Sequence, residues 1–218
     1  MKAAKSVAIT IVQTMAWLTV SSGMEVPPAA AIDTPVPAAA PGPHAVMEEL
    51  STRLFADLDR QPNSIRHDAD KVRPLVDKLL YAHFDRDYAA KLVLGQHWRA
   101  ATPDQRRKFA GALYQRLLRT YAGAVAEWTQ DRVKLLPLRS DPAALQVTVH
   151  TEVTGSGGTV PVDFRLRQTQ EGWKIFDVIV DGVSYVRNYH DDTDAEVTQR
   201  GLDAAIARLA GSDTGAVR

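Results

Sequence analysis

Trp173-Lys174-Ile175-Phe176-Asp177-Val178-Ile179-Val180-Asp181-Gly182-Val183-Ser184-Tyr185-Val186-Arg187-Asn188-Tyr189 carries the strongest β signal in the chain. Its first half is an apolar run of strand length, rich in Ile, Val, Phe and Trp and bounded by Gly172 and Gly182. Side chains alternate along a strand, so Trp173, Ile175 and Ile179 are expected on one side and Phe176, Val178 and Val180 on the other. Both faces then need cover, which predicts a strand in the middle of a sheet.

Upstream, the sequence keeps a period of two. Val160, Val162, Phe164 and Leu166 alternate with Pro161, Asp163, Arg165 and Arg167, and Leu145, Val147, Val149 and Val153 alternate with Gln146, Thr148, His150 and Glu152. Val133 and Leu135 begin another strand. Gly155-Ser156-Gly157-Gly158 joins two strands, opens no helix and lacks Gly-Lys-Ser/Thr, so it reads as a hairpin loop rather than a phosphate loop. Before the strands, Thr102-Pro103-Asp104-Gln105 has the residues of a helix start: a capping Thr, a Pro suited to the first position and a Gln able to bond back. Phe109, Leu113, Leu117, Tyr121, Val125 and Trp128 then form one stripe over about 26 residues, or about 39 Å of helix. Arg106, Arg107, Arg116 and Arg119 read as its solvated side.

Three shorter helices are expected earlier. The first spans residues 45–58, with Val46, Leu50, Leu54, Phe55 and Leu58, and stops before Pro62. The second starts near Asp70, tolerates Pro74 in its early turns and carries Val72, Leu75, Val76, Leu79 and Leu80. The third is capped by Asp85 and runs to about Trp98, with Tyr88, Leu92 and Val93 on one side. A closing helix is predicted over 194–209, with Leu202, Ile206 and Leu209 along one face. The fold class is α+β, with helices packed on the concave face of a curved, about four-stranded antiparallel sheet. An apolar cavity remains wherever the long helix does not press fully onto that face.

A chain of 218 residues with 45% hydrophobic content has room for one ordinary domain with a sizeable core. Basic and acidic residues balance at 26 each, so bulk charge favours no nucleic-acid partner. The absence of cysteine excludes disulfides, thiolate metal sites and a thiol nucleophile. Lys2 and Lys5 precede an uncharged, largely apolar run from Ser6 to Val20, which reads as a secretory signal peptide at 1–31. Ser21-Ser22-Gly23 and Ala29-Ala30-Ala31 both offer small residues for cleavage. An uncleaved anchor is the alternative, although the apolar run is shorter than the roughly 20 residues of a spanning helix. A Pro/Ala-rich leader at 32–43, a domain at 44–210 and a polar tail at 211–218 complete the division.

The six histidines, at 44, 67, 83, 97, 150 and 190, show no metal-ligand spacing, so no metal is expected. Ser184 lacks a nucleophile elbow. Asp177, inside an apolar strand, has two readings: a general base with a raised pKa, or a carboxylate that sits at the sheet edge of a cavity or pairs with an arginine such as Arg165 or Arg167; the second reading is favoured. The best catalytic pairing, Asp177 with Tyr121, would suit a small-molecule isomerase or hydrolase, and it is the alternative to a protein that is not an enzyme.

Two segments carry a family resemblance. Leu92-Val93-Leu94-Gly95-Gln96-His97-Trp98-Arg99, continued by Ala101-Thr102-Pro103-Asp104-Gln105, and Phe176 to Tyr189 resemble the MlaC family, also called the toluene-tolerance family, over about residues 44–210. The resemblance implies a soluble, monomeric periplasmic carrier, exported through a cleaved signal peptide, with a cone similar to the nuclear-transport-factor type. Phospholipid tails would lie inside and the head group in solvent. Implied partners are an inner-membrane ABC transporter with a substrate-binding partner domain and an outer-membrane lipoprotein and porin complex, in the service of outer-membrane lipid asymmetry. Other members accompany hopanoid biosynthesis, so a hopanoid is the alternative cargo; no other cofactor is implied. One turn departs from the family: Asn188-Tyr189 continues as His190-Asp191-Asp192-Thr193 where a basic and an aromatic residue are usual.

A carrier of this kind predicts a lining of Leu92, Val93, Leu113, Leu117, Tyr121 and Val125 from helices and Val147, Val149, Val162, Phe164, Ile175, Val178 and Val180 from strands. Val183, Tyr185 and Val186 are expected at its rim, where the closing helix could move as a lid about Gly182. Strand parity separates Ile175 from Val178 and Val180, leaving the inner face of that strand open. Two acyl chains of about 15 methylenes represent roughly 24 kcal/mol of gross hydrophobic transfer, so their passage through water needs a dry container.

Overall fold

Strands that follow one another in sequence also lie side by side in the computed structural model, which describes residues 40–66, 68–126, 132–139, 141, 143–155 and 158–211. The signal peptide, most of the leader, Trp128 and all but the first residue of the tail fall outside these residues. The sheet is an antiparallel meander of β1 (Val133–Leu135), β2 (Gln146–Gly155), β3 (Gly158–Thr169), β4 (Gly172–Val180) and β5 (Val183–Ser184). The fifth strand, beyond the four expected, comes from a tight turn. Asp181 and Gly182 have φ of 49° and 79°, the conformation in which Asp-Gly closes a two-residue hairpin, and Val183 returns to pair with Val180. On the same edge, opposite β3, residue Ile175 of β4 bonds to the segment before the fourth helix, from Asp85 N at 2.7 Å and to His83 O at 2.8 Å. β4 is therefore covered on both edges.

Strict alternation fails in β4. Val162 pairs with Val180, Phe164 with Val178, Arg165 with Asp177 and Leu166 with Ile175, so Phe176 is an extra residue in a β-bulge. Directly paired residues share a face, which puts Ile175, Val178 and Val180 together on the inner side and moves Ile179 to the outer one. The expected split of Trp173, Ile175 and Ile179 from Phe176, Val178 and Val180 is thus corrected. In β2, Val147, Val149, Thr151 and Val153 face inward opposite Leu166, Phe164, Val162 and Val160, with polar residues outside.

Seven helices occur among the described residues: α1 (Pro43–Asp59), α2 (Asn63–Arg66), α3 (Ala69–Leu80), α4 (Arg86–Leu94), α5 (Pro103–Ala126), α6 (Tyr185–Arg200) and α7 (Leu202–Ala210). Local chemistry sets several of their starts. Asp68 accepts from the backbone N of Asp70 and Lys71, Asp85 accepts from Tyr88 N at 3.0 Å, and Thr102 and Gln105 exchange side-chain to backbone bonds of 3.2 and 3.1 Å. Pro74 sits inside α3, one turn past its start, where it removes the bond its N–H would make to the Asp70 carbonyl; the helix is nonetheless continuous through it.

The closing helix differs from expectation. It starts at Tyr185 rather than near Asp194 and is broken in two at Gly201. Residues 185–193 carry no apolar stripe; what holds them is a cap, Ser184 Oγ accepting from Arg187 N at 3.1 Å, and contacts to distant parts of the chain. The third expected helix also stops short, at Leu94, and continues as a 3-10 turn over Gly95–Trp98. Gly95 has φ of 51°, and a Cβ there would lie 2.7 Å from Cε1 of His190. Gly95→Ala is therefore expected to destabilise the protein by about 2 kcal/mol, read as a fall in Tm of roughly 4–8 °C; an unchanged Tm would mean that neither the backbone strain nor the ring contact matters.

The core forms three clusters. Phe55, Leu58, Val72, Val76, Tyr114, Leu118 and Ala122 join α1, α3 and one flank of α5. Val93, Leu94, Phe109, Leu113 and Leu209 join α4, α7 and the other flank. Met47, Leu50, Val147, Val149, Leu166 and Ile175 join α1 to the sheet. The long helix packs mainly on α3, α4 and α7, while α1, α4 and α6 approach the strands. Held by helices on both flanks, α5 stands off the sheet it was expected to support.

Candidate binding site

The space between α5 and the sheet is a cavity of about 380 Å³, within the range of small-molecule sites and far larger than the voids of a close-packed interior. All three clusters contribute to its walls. α3 and the loop after it supply Val76, Leu80 and Phe84; α4 supplies Ala89 and Val93; α5 supplies Leu113, Tyr114, Leu117, Leu118, Tyr121, Ala122 and Ala124. The sheet gives Val162, Phe164, Ile175, Phe176, Asp177, Val178 and Val180, and α6 gives Tyr185, Val186 and Tyr189.

Exposure rises toward one end along β4 and along one face of α5, while Leu118 and Ala122 beside that face stay buried. Along α5, Leu113 is 2% exposed, Leu117 and Tyr121 are half-buried and Ala124 is exposed. Along β4, Ile175 and Phe176 are buried while Val178 and Val180 are half-buried. The mouth thus lies where α5 and β4 both end, beside the β4–β5 turn and the start of α6.

Of the residues named from sequence, Val93, Leu113, Leu117, Tyr121, Val162, Phe164, Ile175, Val178, Val180, Tyr185 and Val186 come together on this wall. The bulge at Phe176 is what reunites Ile175 with Val178 and Val180. Leu92 is half-buried on α4 and does not line the cavity, and Val183 is 56% exposed on β5. Val147 and Val149 point to the inner face as expected, but α1 covers that end of the sheet, and they are packed on Met47 and Leu50. The side chain of Val125 lies outside the described residues. Sequence reasoning missed Val76, Leu80, Phe84, Ala89, Tyr114, Leu118, Ala122, Ala124, Phe176 and Tyr189. The apolar stripe of α3 was visible, but a stripe shows that a face is covered and not what covers it.

The polar side chains of the wall are Asp177 and four tyrosines. Asp177 is buried, and its carboxylate accepts from Ser184 Oγ at 2.7 Å and Val186 N at 3.0 Å, with the Arg165 guanidinium 3.6 Å away. It ties β4 to the first turn of α6. Of the two arginines considered, Arg165 is the partner; Arg167 pairs with Asp85 at 2.5 Å. The Tyr114 hydroxyl donates to Asp77 Oδ1 at 2.9 Å, and burial, followed by that carboxylate, pushes its phenol well above the ordinary range. Tyr121 stacks on Tyr185, with centroids 4.2 Å apart and planes at 25°, so Tyr121 and Asp177 face different partners. Burial raises the pKa of both stacked phenols.

The departing turn of α6 has a structural use. His190 Nδ1 lies 2.9 Å from Val93 O, while Gln96 Nε2 and His97 Nε2 lie 3.0 and 2.9 Å from Asp194 Oδ1. The Gln96 bond, and next the His97 bond, hold the Asp194 carboxyl below its usual range. These bonds latch α6 to the end of α4. Among the described residues no group of His, Asp and Glu could hold a metal ion, and no helix is long and apolar enough to cross a membrane.

Known proteins resemble this chain in sequence and fold. A phospholipid-binding protein from Ralstonia solanacearum, solved in complex with a phospholipid, superimposes with a TM-score of 0.68 at 26% identity, covering 78% of this chain and all of the other. The toluene tolerance protein ttg2D of Pseudomonas putida is 28% identical over 178 residues, 79% of this chain and 82% of its own. The intermembrane phospholipid transport system binding protein MlaC of Haemophilus influenzae is 20% identical over 171 residues, 77% of this chain and 80% of its own. The sequence profile of the MlaC protein family matches residues 48–211, from α1 through α7, the elements that enclose the cavity. On that match and that shared architecture, the chain belongs to the MlaC family.

Proposed function

We propose that this protein is a periplasmic lipid carrier that takes the acyl chains of a phospholipid into the cavity and shuttles it between the outer and inner membranes, contributing to outer-membrane lipid asymmetry. The observation that carries the proposal is a cavity walled almost wholly by carbon and opening at one end. Each buried methylene is favoured over water by about 0.8 kcal/mol, whereas bilayer and cavity are both apolar, so exchange between them is close to balanced. Direction then comes from partners: an inner-membrane ABC transporter with its substrate-binding domain, and an outer-membrane lipoprotein and porin complex. Export through the 1–31 signal peptide places the protein between them. The work is binding rather than catalysis, because the one carboxylate in the wall is committed to Ser184, Val186 and Arg165. Cargo enters past Tyr185 and Val186, with α6 moving as a lid on the Asp181-Gly182 turn.

Organic extraction and mass spectrometry of protein purified without detergent tests this. About one phospholipid per chain is expected. A hopanoid in its place would keep the carrier and change the cargo, and recovery of neither would overturn the proposal.

A further inference from the structure

The carrier reading leaves open what the mouth recognises, and the cavity's few hydroxyls bear on it. Of its polar side chains, Asp177 and Tyr114 are already bonded within the protein, to Ser184 and Val186 and to Asp77. Tyr121, Tyr185 and Tyr189 have no backbone or carboxylate acceptor among the described residues; Tyr121 and Tyr185 are stacked, and the Tyr121 hydroxyl donates to the Tyr185 oxygen, which leaves the Tyr185 O–H to donate elsewhere. That pair sits at a defined depth: about one helical turn inside exposed Ala124, and outside fully buried Leu113, Ile175 and Phe176. It therefore marks the level at which the wall changes from dry to wet. A tyrosine suits such a level, since its ring is apolar and its hydroxyl both donates and accepts.

A glycerolipid inserted tails first brings its ester carbonyls to the same boundary, between the chains and the phosphate. We propose that Tyr185, held in place by Tyr121, donates a hydrogen bond to an ester carbonyl of a diacyl glycerolipid, so that the protein selects ester-linked over ether-linked cargo of equal chain length. The inference rests on the carrier reading. It makes Tyr185 a specificity-determining residue and Tyr121 the residue that positions it, with Tyr189 as their neighbour on α6. Burial keeps the Tyr185 phenol protonated, and so able to donate, beyond neutral pH.

The test uses the full chain and vesicles holding equal amounts of dipalmitoyl phosphatidylglycerol and its di-O-hexadecyl counterpart, which lacks both carbonyls. Mass spectrometry of the lipid bound after re-isolation gives an ester-to-ether ratio. The wild-type protein is expected to favour the ester by about three- to tenfold, the range a neutral hydrogen bond supplies. In the Tyr121→Phe/Tyr185→Phe variant, which keeps the rings and removes the donors, the ratio should fall toward one whatever the total bound. A wild-type ratio near one with lipid present, or a preference that survives the double substitution, would overturn the inference and leave the carrier intact. Failure of the wild-type protein to bind either lipid would remove both. Should the double variant lose its fold, Tyr185→Phe read against wild type gives the same decision.

Discussion

Replacing Leu117 and Val178 with tryptophan is expected to cut bound phospholipid at least about tenfold while the protein stays folded. The two residues face the cavity from opposite walls, one on α5 and one on β4, both half-buried and midway between the dry end and the mouth. Two indoles there would occupy the passage the chains need, and every excluded methylene forfeits about 0.8 kcal/mol of transfer energy. Overfilling a packed core costs about 1–3 kcal/mol, but here the new rings enter a void, where filling commonly gains about 0.5–2 kcal/mol. Lipid phosphorus per mole of protein should therefore collapse while Tm holds or rises. Full loading of a folded double variant would show that cargo does not use this cavity.

Asp177→Ala is expected to have the largest effect on stability, about 3 kcal/mol. The carboxylate is fully buried and accepts two hydrogen bonds, and bonds to a charged acceptor contribute about 1.5–3 kcal/mol each. Its removal also leaves Val186 N–H and Ser184 O–H without their acceptor. The Arg165 ion pair adds less, because the guanidinium is 42% exposed and screened by water. A fall in Tm of roughly 6–12 °C follows. Hydrogen exchange should quicken first at Val186 and Arg187, the turn of α6 that Asp177 holds. Asp177→Asn, which keeps an acceptor, should lose less than half as much. Thermal unfolding of the Ala variant within about 1 °C of wild type would show that the carboxylate does not anchor α6.

Local signals in the sequence were faithful wherever both partners lie within one turn of chain. The Thr102–Gln105 box and the Asp85 cap join residues three apart, and both form as read. The meander was equally plain, since β2 and β3 each alternate over several residues and β4 is an apolar run of strand length. Phe176 shows the limit: it is as apolar as Ile175 before it and Val178 after Asp177, so nothing in the residue order reveals that the ladder skips it. Parity counted through a bulge must come out wrong by one. Residues 185–193 show another, because a helix held by Asp177, Val93 O and His97 contacts needs no stripe of its own. The cavity wall was half legible for a related reason. Val147 and Val149 belong to the predicted face, but which length of that face α1 occupies depends on Met47 and Leu50, about a hundred positions away, and α3 reaches the cavity only through the way it leans on α5.

The stand-off of α5 from the sheet also bears on how the molecule responds to pressure. Hydrostatic pressure favours whichever state has the smaller volume, and unfolding eliminates internal voids, so the volume lost scales with the empty space a protein encloses. A cavity of about 380 Å³ makes the empty form voluminous for its mass. Acyl chains in that space replace void with matter of near-liquid density and take away most of the volume that unfolding would recover. Cargo then acts as a filler against compression as well as a passenger, and the empty protein is the pressure-labile partner of the loaded one.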